Sequence, residues 1–564
     1  MTLSAMHITF NQRIVATTFS LLLTLHGMPP APRGTLISVS THTFRPAAQS
    51  CEDHFIAHDL DHVTTVPGGQ KVRSFEANGG GVAINDLDND GDLDIVLANH
   101  AGSNTILWNE GALNFRAEHM AGVQGNARAV TIVDVDADGW QDIVFSGVKS
   151  APVYMHNEHN GRFVQQFLGG VGKPVYAINW ADINGDGDLD LLGATYDASL
   201  LTDYGQEFIT SGSAGVFYYE NRAGNFKLHV LATGAQALAL LLVDLNADGH
   251  LDLWVGNDFA VPDQVWYWQP VGWQRAFPLK TMSYSTMSLD AGDIDNDGIN
   301  EVFSSDMKPY AGDEQGQIAL QPILDTLNAG RAGYKDPQIT ANVLQSVGAF
   351  VNTAPAAGVE ATGWSWSSKF GDLDQDGLLD LYVVNGFIEQ GTFRQLPNHE
   401  LVEENQAFRN LGGGRFDPAP QWRLGSLRSG RGMSMADLDG DGDLDIVVNN
   451  LATPSQLFEN QLCGGSSLQV DLDWPESHNR FAIGARLMLV TDRGTYYRDV
   501  KASSGYLSGD PSRVHFGFPA DAALQRLEVR WPDGELSEVT TLTQNTLITV
   551  TRDGLVFNAQ SNSH

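Results

Sequence analysis

Cysteine is almost absent from this chain: Cys51 and Cys463 are the only two among 564 residues. That excludes a disulfide-rich scaffold and any zinc site built from thiolates. Basic residues are scarce as well. The 33 Lys+Arg stand against 68 Asp+Glu, a net charge of -35, which argues against nucleic acid or an anionic membrane surface as partner. Long apolar runs are missing except near the start, where residues 1–33 read as an export signal: Arg13, the apolar run 14–25, then a proline-rich exit. The run is short for a membrane span, so no membrane insertion is expected once the signal is removed. No A-x-A cleavage site follows the run, and a signal anchor stays open. The mature chain is expected to be secreted, periplasmic or at the cell surface. Catalytic signatures are also lacking: there is no G-x-S-x-G, no H-E-x-x-H and no phosphate loop.

What is present is a repeat. The nonapeptide D-x-D/N-x-D-G-x-x-D/E occurs seven times, at starts separated by 48, 48, 62, 49, 79 and 65 residues. Its positions one, three, five and nine are Asp86, Asp88, Asp90 and Asp94 in the first copy and Asp134, Asp136, Asp138 and Asp142 in the second. The third copy has Asp182, Asn184, Asp186 and Asp190, and the fourth Asp244, Asn246, Asp248 and Asp252. The fifth has Asp293, Asp295, Asp297 and Glu301, the sixth Asp372, Asp374, Asp376 and Asp380, and the seventh Asp437, Asp439, Asp441 and Asp445.

Four side-chain oxygens and a backbone carbonyl at position seven make a hard oxygen cage, and Gly at position six permits the sharp turn. Calcium is the cation that accepts so many oxygens; softer metals favour His or Cys. Several Ca2+ ions, up to seven, are expected. The pattern is not an EF-hand, because position twelve (Leu97, Phe145, Gly193, Val255, Ser304, Val383, Val448) is never Glu. Plain Asx turns explain one such loop but not seven with fixed spacing. Seven ions would move the formal charge from -35 to -21, so much of the acidity belongs to the loops.

A period near 48 is the size of a four-stranded propeller blade. After each loop comes a strand such as LDIVLAN, then an aromatic strand ending in Asn, then a turn and a Phe strand. The seventh unit ends at Asn460 without a Phe strand, while the segment at Phe55 is a Phe strand without a unit; pairing the two closes a ring. Cys463 lies three residues after Asn460 and Cys51 four before Phe55, so both fall in one turn and a disulfide locking the ring is expected. His54, His58 and His62 of the closing strand read as surface residues rather than as a metal site. The stretch 468–550 alternates apolar and polar positions around a WPDG turn, as a small all-β domain does.

These loops resemble the FG-GAP or VCBS repeats of integrin α-type propellers. NRFAIGARLMLV (479–490), SSGYLSGDPSRVHFGF (503–518) and VRWPDGE (529–535) look like the ASPIC/UnbV domain, and the combination resembles the cartilage acidic protein family and its bacterial relatives. The EGF-like module of the animal members is not in this sequence. The expected fold class is all-β: a seven-bladed β-propeller with calcium-binding loops, followed by a compact C-terminal β-sandwich that the resemblance implies. The expected division is signal 1–33, linker 34–50, propeller 51–463, ASPIC/UnbV domain 464–555 and tail 556–564.

The innermost strand of each unit precedes its loop, so residues six before each first Asp emerge near the axis on the face opposite the loops. They include Arg128, Tyr176, Trp366 and Arg431, a set able to hold an anionic or sugar-like ligand or simply to plug the channel. A helix-like insert at 318–331 lids that face or decorates an edge. The favoured function is a monomeric binding or adhesion module for a glycan or protein ligand. The alternative is a calcium-dependent lyase or cyclase acting on carbohydrate or a secondary metabolite, with the arginines and tyrosine as acid, base or anion clamp.

Overall fold

The computed structural model describes residues 36–45, 51–67, 72–124, 126–159, 161–205, 211–259, 261–331 and 337–552. The expected signal and the tail lie outside them.

Each nonapeptide joins the first two strands of an antiparallel sheet. In the first unit Val82–Asn85 pairs with Asp94–Leu97, followed by Ser103–Asn109 and Phe115–Gln124, in sequential order. The register places Asn85 opposite Asp94, so the loop 86–93 is a tight connection and its last carboxylate starts the second strand. The second, third and fourth units repeat this four-stranded order. The fifth is three-stranded, and the sixth gains an edge strand, Met307–Lys308, beside Gly363–Gly371. In the last unit Gly430–Ala436, Asp445–Asn450 and Pro454–Glu459 are completed by Ile56–Val63, with Ile56 opposite Glu459. At that seam Glu52 and Asp53 donate backbone bonds to Gln461 O (2.8 and 3.0 Å). A disulfide joins Cys51 to Cys463 with Cα atoms 5.2 Å apart.

The strands are too apolar on both faces to stand alone, and the sheets cover one another. Ala83, Val96 and Trp108 of the first unit pack with Val130, Ile132 and Phe145 of the second; Leu241, Trp254 and Val265 pack with Leu289, Val302 and Phe350. The first strand of every unit lies beside that of the next, and Gly430–Ala436 returns to Val82–Asn85. The described chain is thus all-β with propeller-like repeats. The longer sequence steps at the third, fifth and sixth units arise between second and third strands. There lie helix Asp197–Tyr204, helices Glu314–Ala319 and Gln321–Arg331, and the pair Phe387–Ile388/Glu400–Leu401. Since each second strand starts at its aspartate loop, all three insertions leave from the opposite end.

The C-terminal segment forms two further four-stranded sheets. One is Thr495–Asp499, Arg486–Thr491, Leu524–Arg530 and Leu536–Val539. The other contains Val514–Phe518, Ser466–Asp473 and Thr546–Arg552, with Ile37–Thr43 as its edge strand. The stretch expected to be a linker therefore supplies a strand. Its polar sequence ISVSTHT suits an exposed edge.

Candidate metal loops and channel site

The loops are held in shape by their own carboxylates. Asp86 accepts from the backbone of Asp90 (3.2 Å) and Gly91 (3.0 Å), and Asp94 accepts from Leu87 (3.1 Å) and Asn109 (2.8 Å). The second, sixth and seventh loops repeat the position-nine pattern through Asp142, Asp380 and Asp445. Gly91 has φ 98°, the left-handed conformation that position six requires. This brings like charges together in semi-buried space. Asp86, Asp88 and Asp90, or Asp372, Asp374 and Asp380, each offer ligand atoms within 4.8 Å of one another. Burial, reinforced by neighbouring carboxylates, pushes Asp94 and Asp142 up to about 8, and Asp134, Asp252 and Glu301 up to about 7.

Two buried oxygens, Asp88 Oδ1 and Asp374 Oδ1, have no hydrogen-bond partner. Unfilled acceptors in an all-oxygen acidic cluster suit a hard cation, so the acidic clusters are able to bind metal ions. Basic side chains lie against the ligand carboxylates of two loops. Arg409 reaches Asp374 (2.5 Å) and Asp376 (3.1 Å), and His156 Nδ1 lies 3.2 Å from Asp136 and 3.4 Å from Asp142.

The Asn that ends the third strand has a role the sequence did not disclose. Asn109 Nδ2 donates to Leu438 O (2.7 Å), Asn157 to Leu87 O (2.8 Å), Asn410 to Ile294 O (2.8 Å) and Asn460 to Leu373 O (2.9 Å). Each bond ties one unit to the loop of the preceding unit, and the first to the seventh. The closing-strand histidines form no common site. His58 pairs with Glu459 (2.7 Å) and His54 with the Glu52 carbonyl (2.8 Å). His62, expected at the surface, is 4% exposed and bonded to Thr105 and Thr64, because the edge strand folds inward against the first unit.

The C-terminal sheets face the aspartate loops. Arg513 donates to Gly91 O (3.3 Å), Arg486 to Gly298 O (2.7 Å) and Asn300 to Asp499 (2.6 Å), while Gln469 bonds Asp437 and His478 bonds Asp188. From this layer the hairpin Ser503–Ser504/Ser508–Gly509 enters between the first strands. Leu507 O accepts from Val130 N (3.3 Å), and Gly505 exchanges backbone bonds with Leu289 (2.7 and 3.4 Å). Ser508 Oγ accepts from Val82 and Met433 (both 3.2 Å), Tyr506 N donates to Ser367 Oγ (3.3 Å), and Asn179 donates to Ser503 O (3.1 Å).

The hairpin tip reaches the four candidate ligand residues. Arg128, Tyr176, Trp366 and Arg431 are all buried. Arg431 lies 4.1 Å over the Trp366 ring, and Trp366 packs edge-on to Tyr506 at 5.3 Å. The structure thus gathers these side chains, with Tyr506 among them, around filled rather than open space. The sequence clue was the run SSGYLSG, whose small residues suit passage between close strands.

Comparison with known families identifies both parts. The FG-GAP-like repeat family matches residues 86–145, 134–193, 244–304 and 398–448, and the ASPIC and UnbV family matches 475–555. The chain carries FG-GAP-like repeats and an ASPIC/UnbV domain. Cartilage acidic protein 1 of Xenopus tropicalis is 33% identical over 111 residues, and that of Homo sapiens 35% over 113. These matches cover 19% of the chain and only 17% and 16% of those relatives. Among solved structures, BBS1N in complex with ARL6DN aligns over 73% of this chain and 98% of that one, with 9% identity and a TM-score of 0.39. The SapL1 lectin in complex with alpha methyl fucoside aligns over 69% and 95%, with 12% identity and a TM-score of 0.30. Among the described residues no helix is long and apolar enough to cross a membrane.

Proposed function

We propose that this protein is an exported, monomeric, calcium-stapled seven-bladed β-propeller, capped by a β-sandwich, that binds a glycan or protein ligand on the face away from its aspartate loops. Residues 51–463 are the propeller; residues 464–555, with the strand at 37–43, are the cap. The carboxylates and amides at positions one, three, five and nine hold the ions with the position-seven carbonyl. Each ion neutralises clustered charge and fixes a loop; it takes no part in ligand chemistry. The oxygen-only donor set and the two unpartnered loop oxygens support calcium. The disulfide supports an oxidising compartment.

One observation carries the functional assignment. The ASPIC/UnbV domain covers the loop face and fills the channel, while all three insertions project from the other face. Insertions that vary on one side of a rigid repeat scaffold are the usual material of a binding face. The test is a glycan array and a protein pull-down with the calcium-loaded chain, repeated after residues 314–331 are replaced by a short Gly/Ser bridge. Loss of binding with a nearly unchanged melting temperature is expected. Binding that survives this change and the corresponding change at 197–204, but is abolished by substitutions on the outer surface of the cap, would overturn the assignment.

A further inference from the structure

The insertions of the fifth and sixth units meet through two acids. Helix Glu314–Ala319 of the fifth packs beside the strand Glu400–Leu401 of the sixth. Asp313 caps that helix, its Oδ1 accepting from Gly316 N (2.9 Å). Glu403, 2% exposed, accepts through Oε2 from Trp364 N (2.6 Å). The second oxygen of each carboxyl, Asp313 Oδ2 and Glu403 Oε1, is buried and receives no hydrogen bond from a donor among the described residues. The two oxygens meet beside Gly316. A methyl group there would sit 1.9 Å from Asp313 Oδ2 and 3.0 Å from Glu403 Oε1, so their approach depends on glycine at this position.

Two bare acceptors are unstable together in buried space as anions, because each has lost its hydration and repels the other. One proton between them removes both penalties and makes a hydrogen bond to a charged acceptor, the stronger kind. Its place is on Glu403. Asp313 stands at a helix N-terminus, where negative charge is favoured, whereas burial, and then the Asp313 carboxyl beside it, push Glu403 well above the usual carboxyl range. Among the described residues no cation takes the proton's place. Lys308 is paired with Glu360 (3.0 Å), and no basic group acts on Glu403. The other ionisable groups on the segments around the pair are Tyr310, Glu314, Glu400 and Glu404. Burial and the acids Asp313, Glu403 and Glu404 push the Tyr310 hydroxyl up to about 12, so it stays neutral.

We infer that a single proton shared by Glu403 and Asp313 latches the insertion of the fifth unit to that of the sixth, and that its loss unlatches helix Glu314–Ala319. The consequence for function rests on the proposal that this face binds a ligand: binding there is then regulated by pH. A helix of six residues has little stability of its own and depends on its cap and its packing. When Glu403 ionises, repulsion drives Asp313 Oδ2 away, and with it the Oδ1 that holds Gly316 N, so bridge and cap are lost together. The folded state keeps a proton on Glu403 that the unfolded chain has already released. The latch is therefore intact below the folded-state value of Glu403 and lost as pH rises through it. Ala319, Leu320 and Leu324 are buried by apolar contact and keep the rest of the insertion docked.

Hydrogen exchange of the calcium-loaded full chain, corrected for the intrinsic rate at each pH, tests the inference. From about pH 6 to about pH 10, protection of residues 314–320 should fall more than about tenfold relative to the strand Asp445–Asn450. Glu403→Gln, whose amide donates to Asp313 at any pH, should hold that protection at its low-pH level throughout. Asp313→Asn, which donates to Glu403 and keeps an oxygen for Gly316 N, should do the same, and decides the matter where the first variant fails to fold. Protection that is flat with pH in the native chain, or that falls in the folded variants as it does in the native chain, would overturn the latch. So would protection that rises with calcium concentration at fixed pH, since a cation would then stand between the two acids. Flat protection in a chain whose ligand binding is lost with residues 314–331 would overturn the latch and leave the binding face intact. A latch that titrates as expected in a chain that binds nothing on this face would refute only the binding face.

Discussion

At the scale of single residues the loop carboxylates decide how stability responds to pH. In metal-free protein burial pushes the Asp94 and Asp142 carboxyls up to about 8, whereas in the unfolded chain they release their protons near 3.8. The folded state then binds more protons than the unfolded state across that window, so its stability falls as pH rises from about 4 to about 8 and levels off above. Melting scans of chelated protein should show this decline, and calcium should remove it; a chelated protein that gains stability over that range would contradict the placement of the carboxylates. Arg409, bonded to Asp374 and Asp376, competes with any ion at the sixth loop. Arg409→Gln should therefore raise calcium affinity at that loop several-fold, read as a new tight site by calorimetry. Asn157 is fully buried and donates to carbonyls of two units. Asn157→Ala leaves those carbonyls unpaired and should cost about 1–3 kcal/mol in denaturant unfolding.

At the scale of elements the decisive contact is the hairpin inside the channel. A methyl group on Gly81 would sit 2.1 Å from Leu507 O, backbone against backbone, with no flexible side chain to yield. Gly81→Ala should destabilise by about 3 kcal/mol or more and expose Tyr506 to hydrogen exchange; an unperturbed melting curve would mean that the hairpin is not lodged there. The sequence announced the repeat units because their chemistry is local: D-x-D-x-D-G fixes a turn, and alternating apolar strands follow it. It also located the seam, since the Phe strand missing after Asn460 was present at Phe55. It did not announce the hairpin, whose residues Ser503, Gly505 and Ser508 gain meaning only against Gly81, Ser367 and Met433, hundreds of residues away. For the same reason the spacing of the channel residues Arg128 and Arg431 allowed either a ligand opening or a plugged channel, and the partner that buries them came from another domain.

At the scale of the molecule two devices hold a closed ring of sheets together, a covalent clasp and, on the proposal above, a set of ions. The disulfide closes a loop of 412 residues, for which chain entropy gives a stabilisation of about 5 kcal/mol. Replacing Cys51 and Cys463 by Ser should lower the melting temperature and release the strand Ile56–Val63 first, as seen by hydrogen exchange at the seam. The ions bear on all seven loops, and ligands that bind only the folded state stabilise it by mass action. The central claim is most directly tested by titrating calcium into chelator-stripped protein near neutral pH while following the melting temperature. The account predicts several ions per chain, up to seven, with the melting temperature rising as they bind; identical melting curves in excess calcium and excess chelator, after confirmed metal removal, would contradict it.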